Sequence, residues 1–174
     1  MMPTFPYEEI SNMNVFLDTS IVNNLLDLDK PTNDLTFREN AKYIELIMVS
    51  PVVVGIVSPT VKQQLENTTD SKRREGLISK FNEFHFKEFV GGLEFPLRFP
   101  LSFMSKQQEE IIEEVYNKRP ALRPDLDIIK DATFIKEIDV LLTTDKDLAG
   151  LRMIGKVRFF RPKELWESIK TGST

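Results

Sequence analysis

Met13-Asn-Val-Phe-Leu17 is a short apolar run that passes directly into Asp18-Thr-Ser20. The run reads as a buried strand, and the three polar residues after it can cap a helix that begins near Ile21. Val52-Val-Val-Gly-Ile-Val57 repeats the theme. It is continuously apolar and β-branched, as in a parallel sheet covered on both faces. Ser58-Pro59 then starts a helix with proline in its first turn, and that helix carries Val61, Leu65 and Glu66. Val140-Leu-Leu-Thr143 and Val157-Arg-Phe-Phe160 supply the third and fourth strands. Helices are expected over 35–48, from Ser71 to Phe89, over 105–117, from Asp125 to Lys136, and from Pro162 onward. Pro120 and Pro124 bracket a loop, and Asp145 to Leu151 makes a short helix or turn. Strands alternating with helices give an α/β fold with a parallel sheet.

With 174 residues, the chain fits one domain, 1–174, with a sizeable core. A hydrophobic fraction of 41% and a charged fraction of 29% are those of a globular protein. There is no cysteine, which excludes a disulfide framework, a thiolate zinc site and a cysteine nucleophile. The single histidine, His85, cannot build a multi-histidine metal site. Any metal must then be bound by oxygen, which favours Mg²⁺ or Mn²⁺. No apolar run reaches membrane-spanning length, and Met1 to Asn12 lacks the basic-then-apolar order of a signal peptide, so a cytoplasmic location is expected. The net charge of −4 is the wrong sign for gripping nucleic acid by bulk attraction. Carboxylates that hold divalent cations remove part of that objection, because the ions reverse the local sign.

Among 27 acidic residues, position must single out the functional ones. Asp18 and Asp145 each follow an apolar strand, Glu66 lies on the helix after the second strand, and Asp127 opens the helix that leads into the third. Ligand sites of such sheets lie beyond the carboxyl ends of the strands. The ordinary role of an aspartate there is to cap a helix. Two carboxylates crowded at one sheet edge, however, are unfavourable unless a cation neutralises them.

Val15-Phe-Leu-Asp-Thr-Ser-Ile-Val22, Ser58-Pro-Thr-Val-Lys-Gln-Gln-Leu-Glu66 and the block from Asp127 to Leu142-Thr-Thr-Asp-Lys-Asp-Leu148 together resemble the PIN-domain family of metal-dependent ribonucleases. The spacing of eighteen between Asp127 and Asp145 matches the family's habit, and the likeness covers roughly residues 13–160. It implies a three-layer α/β/α fold with a central parallel sheet. It also implies a metal-binding quartet of Asp18, Glu66, Asp127 and Asp145, with Ser20 as a supporting hydroxyl and Asp147 at a more variable acidic position. The implied activity is Mg²⁺- or Mn²⁺-dependent hydrolysis of RNA that leaves a 5′-phosphate and a 3′-hydroxyl, in a housekeeping enzyme or the toxin of a toxin–antitoxin pair. The alternative is the same fold with weak or no catalysis, acting as a scaffold for RNA or protein. Asp131, one turn after Asp127, departs from the family's small residue and is an extra ligand or a charged helix edge. The chain is also longer than the compact toxins, around residues 71–118. A haloacid-dehalogenase phosphatase is rejected, because the second aspartate it expects is here Ser20.

Seven of the 13 phenylalanines fall between Phe81 and Phe103. They suit core packing or an apolar face that joins two subunits into a homodimer. Of the basic residues, Arg123 and Lys130 flank Asp127 and are the candidates for meeting a substrate phosphate.

Overall fold

The computed structural model describes residues 12–27, 32–83, 87–88, 106–134 and 137–172. The apolar run at the start forms β1 (Met13–Leu17). Asp18 ends the strand and caps α1 (Thr19–Leu26). Asp34 takes the backbone N–H groups of Thr36 and Phe37 to cap α2 (Leu35–Met48). Then come β2 (Val53–Val57), α3 (Pro59–Glu66) and α4 (Ser71–Glu83). A two-residue strand, β3 (Lys87–Glu88), follows. The second half holds α5 (Lys106–Lys118), a 3₁₀ turn (Pro120–Asp125) and α6 (Leu126–Phe134). It continues through β4 (Val140–Leu142), α7 (Lys146–Ala149), β5 (Met153–Ile154), β6 (Val157–Phe160) and α8 (Pro162–Thr171).

The six strands form one sheet in the order β3-β2-β1-β4-β6-β5. All neighbours run parallel except β5 and β6, so the sheet is mostly parallel with one antiparallel edge. β1 and β4 lie side by side at its centre, with Val15 opposite Val140 and Leu17 opposite Leu142. All three residues of β4, and Val15, Phe16 and Leu17 of β1, are fully buried. Successive strand residues point to opposite faces, so both faces of the sheet centre are covered. This is compatible with a helix–sheet–helix layering. α2 crosses β2 so closely that a Cβ on Gly55 would come within 2.8 Å of Met48 Cε.

Two expectations change. The helix expected from Ser71 to Phe89 stops by Glu83, and Lys87–Glu88 pairs with β2 as an edge strand. Two residues carry no periodicity, so nothing in the composition marks them. β5 is likewise too short to read from pattern. The segment between Pro120 and Pro124 is a 3₁₀ turn and not an open loop, proline being tolerated where no helical N–H is needed. Of the phenylalanine-rich stretch, Phe81 is buried in the core; Phe84 to Phe103, apart from the 87–88 strand, lies outside the described residues. Among the described residues no helix is long and apolar enough to cross a membrane.

Phe16 is the largest wholly buried side chain on the central strand. Phe16→Ala should lower the free energy of unfolding by about 3–5 kcal/mol, read from the midpoint of a urea titration.

Candidate functional site

The chain runs from β1 outward to β2 and β3, then returns to the other side of β1 to lay down β4 and β6. The sheet therefore changes direction between β1 and β4. Such a switch point leaves a crevice at the carboxyl ends of the two strands. Asp18 follows β1 there, and Thr143, Thr144 and Asp145 follow β4.

Asp18 is 5% exposed and accepts three hydrogen bonds. Oδ1 takes the Thr19 N–H at 2.7 Å. Oδ2 takes the hydroxyls of Ser20, 2.8 Å, and Thr143, 2.7 Å. Each hydroxyl accepts in turn from the β4 loop: Thr144 N–H donates to Ser20 Oγ and Asp145 N–H to Thr143 Oγ1, both at 3.1 Å. The Asp18 N–H itself donates to Leu142 O. Two relays thus tie the loop carrying Asp145 to the Asp18 carboxylate. Ser20 thus lies against Asp18, between it and the β4 loop. Thr143, wholly buried, does more than the sequence indicated, since it bridges Asp18 and Asp145.

Asp145 is exposed and caps α7, Oδ1 accepting from Asp147 N–H at 2.7 Å and Leu148 N–H at 3.1 Å. The ordinary capping role of Asp18 and Asp145 is therefore present. It leaves Asp145 Oδ2 without a partner among the described residues. Asp147 is exposed in the first turn of the same helix.

Asp125 is the acid that sequence reasoning missed. It ends the 3₁₀ turn, half-buried, and its carboxyl is pushed up to about 6 by burial, then by the nearby charges of Asp18 and Asp145. It makes no hydrogen bond or ion pair among the described residues. The spacing argument passed it over in favour of Asp127, two residues on. The available signal was its place directly after Pro124, at the end of a chain segment instead of inside a helix.

Asp127 is exposed in the first turn of α6. It faces Asp131 one turn later, whose pKa is raised by burial above all, with Asp127 adding to the rise. Thr60 Oγ1 donates to Asp131 Oδ2 at 2.6 Å, and Ser58, Thr60 and Lys130 all oppose the shift. Ser58 acts from outside ordinary hydrogen-bond geometry, so its buried Oγ has no full partner. Asp131 is thus a tie between α6 and α3, not a free edge.

The side of α3 that faces the site carries Thr60 and, one turn on, Gln64, which is hydrogen-bonded to Thr19. Glu66 lies roughly 200° further round the helix from Gln64. It is exposed and bonded to none of the other acids. Arg123, the phosphate candidate, is exposed, with its guanidinium over the Tyr116 ring. Lys130 is half-buried beside Asp131.

The structure thus brings Asp18, Asp125 and Asp145 into electrostatic contact, sets Asp127 with Asp131 as a second pair, and leaves Glu66 apart. Among the described residues no three acidic side chains close up into a metal cage. A hard cation does not require one. Mg²⁺ keeps several waters and is commonly held by one or two carboxylates together with substrate phosphates. The donors here are all oxygen, no lysine or arginine among the described residues pairs with Asp18, Asp125 or Asp145, and the charges of Asp18 and Asp145 add to burial in lifting Asp125. These residues fit a divalent cation.

The chain matches no protein-family model, and no curated protein matches it in sequence.

Two measurements check this site. Thr143→Val keeps the shape but leaves Asp18 and the Asp145 N–H each short of a partner. It should cost about 1–3 kcal/mol in urea unfolding, with Thr143→Ser close to wild type. Asp125→Asn tests the repulsion. A carboxyl whose folded pKa is raised destabilises the fold increasingly as pH climbs from the unfolded value, near 4, through 6. In metal-free protein Asp125→Asn should therefore melt a few degrees above wild type at pH 7, on the order of 1 kcal/mol after solvent screening. The two should melt together near pH 3.5. Millimolar Mn²⁺ at pH 7 should raise the melting temperature of wild type more than that of the variant.

Proposed function

We propose that the chain is a metal-dependent ribonuclease of PIN type, built as a three-layer α/β/α domain and cleaving single-stranded RNA. The observation that carries this reading is the set of uncompensated carboxylates, Asp18, Asp125 and Asp145, at the switch point between β1 and β4. Asp18 and Asp145 would hold the ion, Mg²⁺ or Mn²⁺, with Asp125 beside them; Asp127, Asp131, Asp147 and Glu66 are outer acids. A bound divalent ion supplies an acidified water and neutralises charge on the phosphate. The chain's own part is to hold the carboxylates still. Ser20 and Thr143 fix Asp18 Oδ2, and through Thr143 the Asp145 loop keeps its distance from Asp18. Attack of water on phosphorus with loss of the 3′-oxygen leaves a 5′-phosphate and a 3′-hydroxyl. The same reading puts the protein in the cytoplasm as a homodimer, either a housekeeping enzyme or the toxin partner of an antitoxin.

One observation favours the second reading, a catalytically weak scaffold of the same fold. The residue that α3 turns toward Thr19 is the neutral Gln64, and the acid of that helix, Glu66, is exposed away from it.

Cleavage of a labelled single-stranded RNA separates the two. Wild type should cut with Mg²⁺ or Mn²⁺ and stop in chelator, Asp18→Asn should fall to background while staying folded but melting below wild type, since an amide cannot accept all three bonds that the carboxylate takes, and His85→Ala should stay active. Full activity in chelator or in Asp18→Asn would overturn the mechanism. A wild type that binds RNA and cuts none under either metal establishes the scaffold.

A further inference from the structure

Tyr116, near the end of α5, is 47% exposed. The guanidinium of Arg123 lies over its ring, 4.5 Å from the centroid. Arg123 Nε donates to Tyr116 O at 3.2 Å. That bond fixes the fork of the guanidinium over the ring, where an exposed arginine would otherwise swing through solvent. Arg123 is exposed, and among the described residues it forms no ion pair.

This pair stands at the rim of the carboxylates. Arg123 and Asp125 belong to the same 3₁₀ turn, and the turn packs against α7, the helix that Asp145 caps. Arg119 bridges the same gap, its Nη1 lying 3.8 Å from where a Cβ on Gly150 would sit, at the end of α7. Of the neighbouring charges, Lys118 is paired with Glu114 at 3.0 Å. Glu113, exposed one turn before Tyr116, keeps an anionic strand off the α5 side. Arg119 and Arg123 set two cations on the side toward α7, beside the acids Asp125, Asp145 and Asp147.

Resting on the ribonuclease reading, we propose that Tyr116 and Arg123 form a stacking step for an unpaired base of single-stranded RNA, with Arg119 and Arg123 meeting the adjoining phosphates, and that the strand passes from this step to Asp125. A phenol ring and a guanidinium plane both stack on nucleobases, and every base has a π-face. The recognition is therefore tolerant of sequence. It also answers the net charge of −4: the RNA is held by stacking and two arginines, with no need for an overall basic surface.

The probe is a fluorescein-labelled twelve-nucleotide oligouridylate, bound to the full chain in chelator and followed by anisotropy. The same RNA serves as substrate in Mn²⁺. Tyr116→Ala should raise Kd about tenfold or more, and Tyr116→Phe should stay within about twofold of wild type. Arg123→Ala should weaken binding and reduce the salt slope by about 0.7, and Arg123→Lys should restore the slope but not the affinity. In cleavage, Tyr116→Ala should raise KM and spare kcat. A duplex RNA of the same length, its bases already stacked, should bind more weakly. Wild-type Kd and KM in Tyr116→Ala, in a protein that cleaves, overturn the step and leave the ribonuclease reading standing. Equal affinity for the duplex overturns it too. Tyr116-dependent binding without cleavage under any metal supports the step and removes the ribonuclease reading. A wild type that neither binds nor cleaves removes both.

Discussion

The contact between the ends of β1 and β4 governs the rest of this structure. These strands come from distant parts of the sequence, 125 residues apart at the Thr143–Asp18 bond, and they are the centre of the sheet. Their backbones pair over three buried residues each. Beyond that ladder the pairing is continued by side chains, with the Thr143 and Ser20 hydroxyls standing between the Asp18 carboxylate and the N–H groups of the next loop. A buried carboxylate is tolerable only if its oxygens are satisfied, and here the groups that satisfy it also anchor the second acidic loop. The position of Asp145 is therefore a by-product of solvating Asp18.

Electrostatics around this junction divides the acids into two kinds. Asp131 is half-buried against α3, where a hydroxyl and a neighbouring lysine stabilise its charge. Asp125 receives nothing comparable and feels two other carboxylates. The contrast separates an acid tied into the fold from one whose charge is left unopposed, which burial does not, since both side chains are partly covered.

Much of the fold was legible because its central strands are apolar without interruption and its helices begin at clear capping residues. β1 and α2 begin and end where the pattern placed them, and the Asp18 cap was readable from Leu17-Asp-Thr-Ser20. The edge strands β3 and β5 were not, since two residues have no period and owe their conformation to the neighbour they pair with. At the site, Asp18, Asp145 and Ser20 could be placed because the ends of central strands are fixed by the sheet. Asp125 and Gln64 could not. That Asp125 comes within reach of the charges of Asp18 and Asp145 depends on where the 3₁₀ turn hands over to α6, and that Gln64 meets Thr19 depends on the rotation of α3. Sequence spacing leaves such helix rotations undetermined to within a residue or two.

The outermost strands have a bearing on how copies of this chain can associate. β3 at one end and β5 at the other are each two residues long, and β5 runs against the direction of the rest. A strand that short offers only a few free main-chain donors and acceptors to an incoming chain, and such brevity is a common guard against edge-to-edge growth. Among the described residues, joining two molecules by extending the sheet past β5 is thus disfavoured. A pairing of subunits through helices or loops has contacts that can be tuned residue by residue without touching the ladder that holds Asp18 in place.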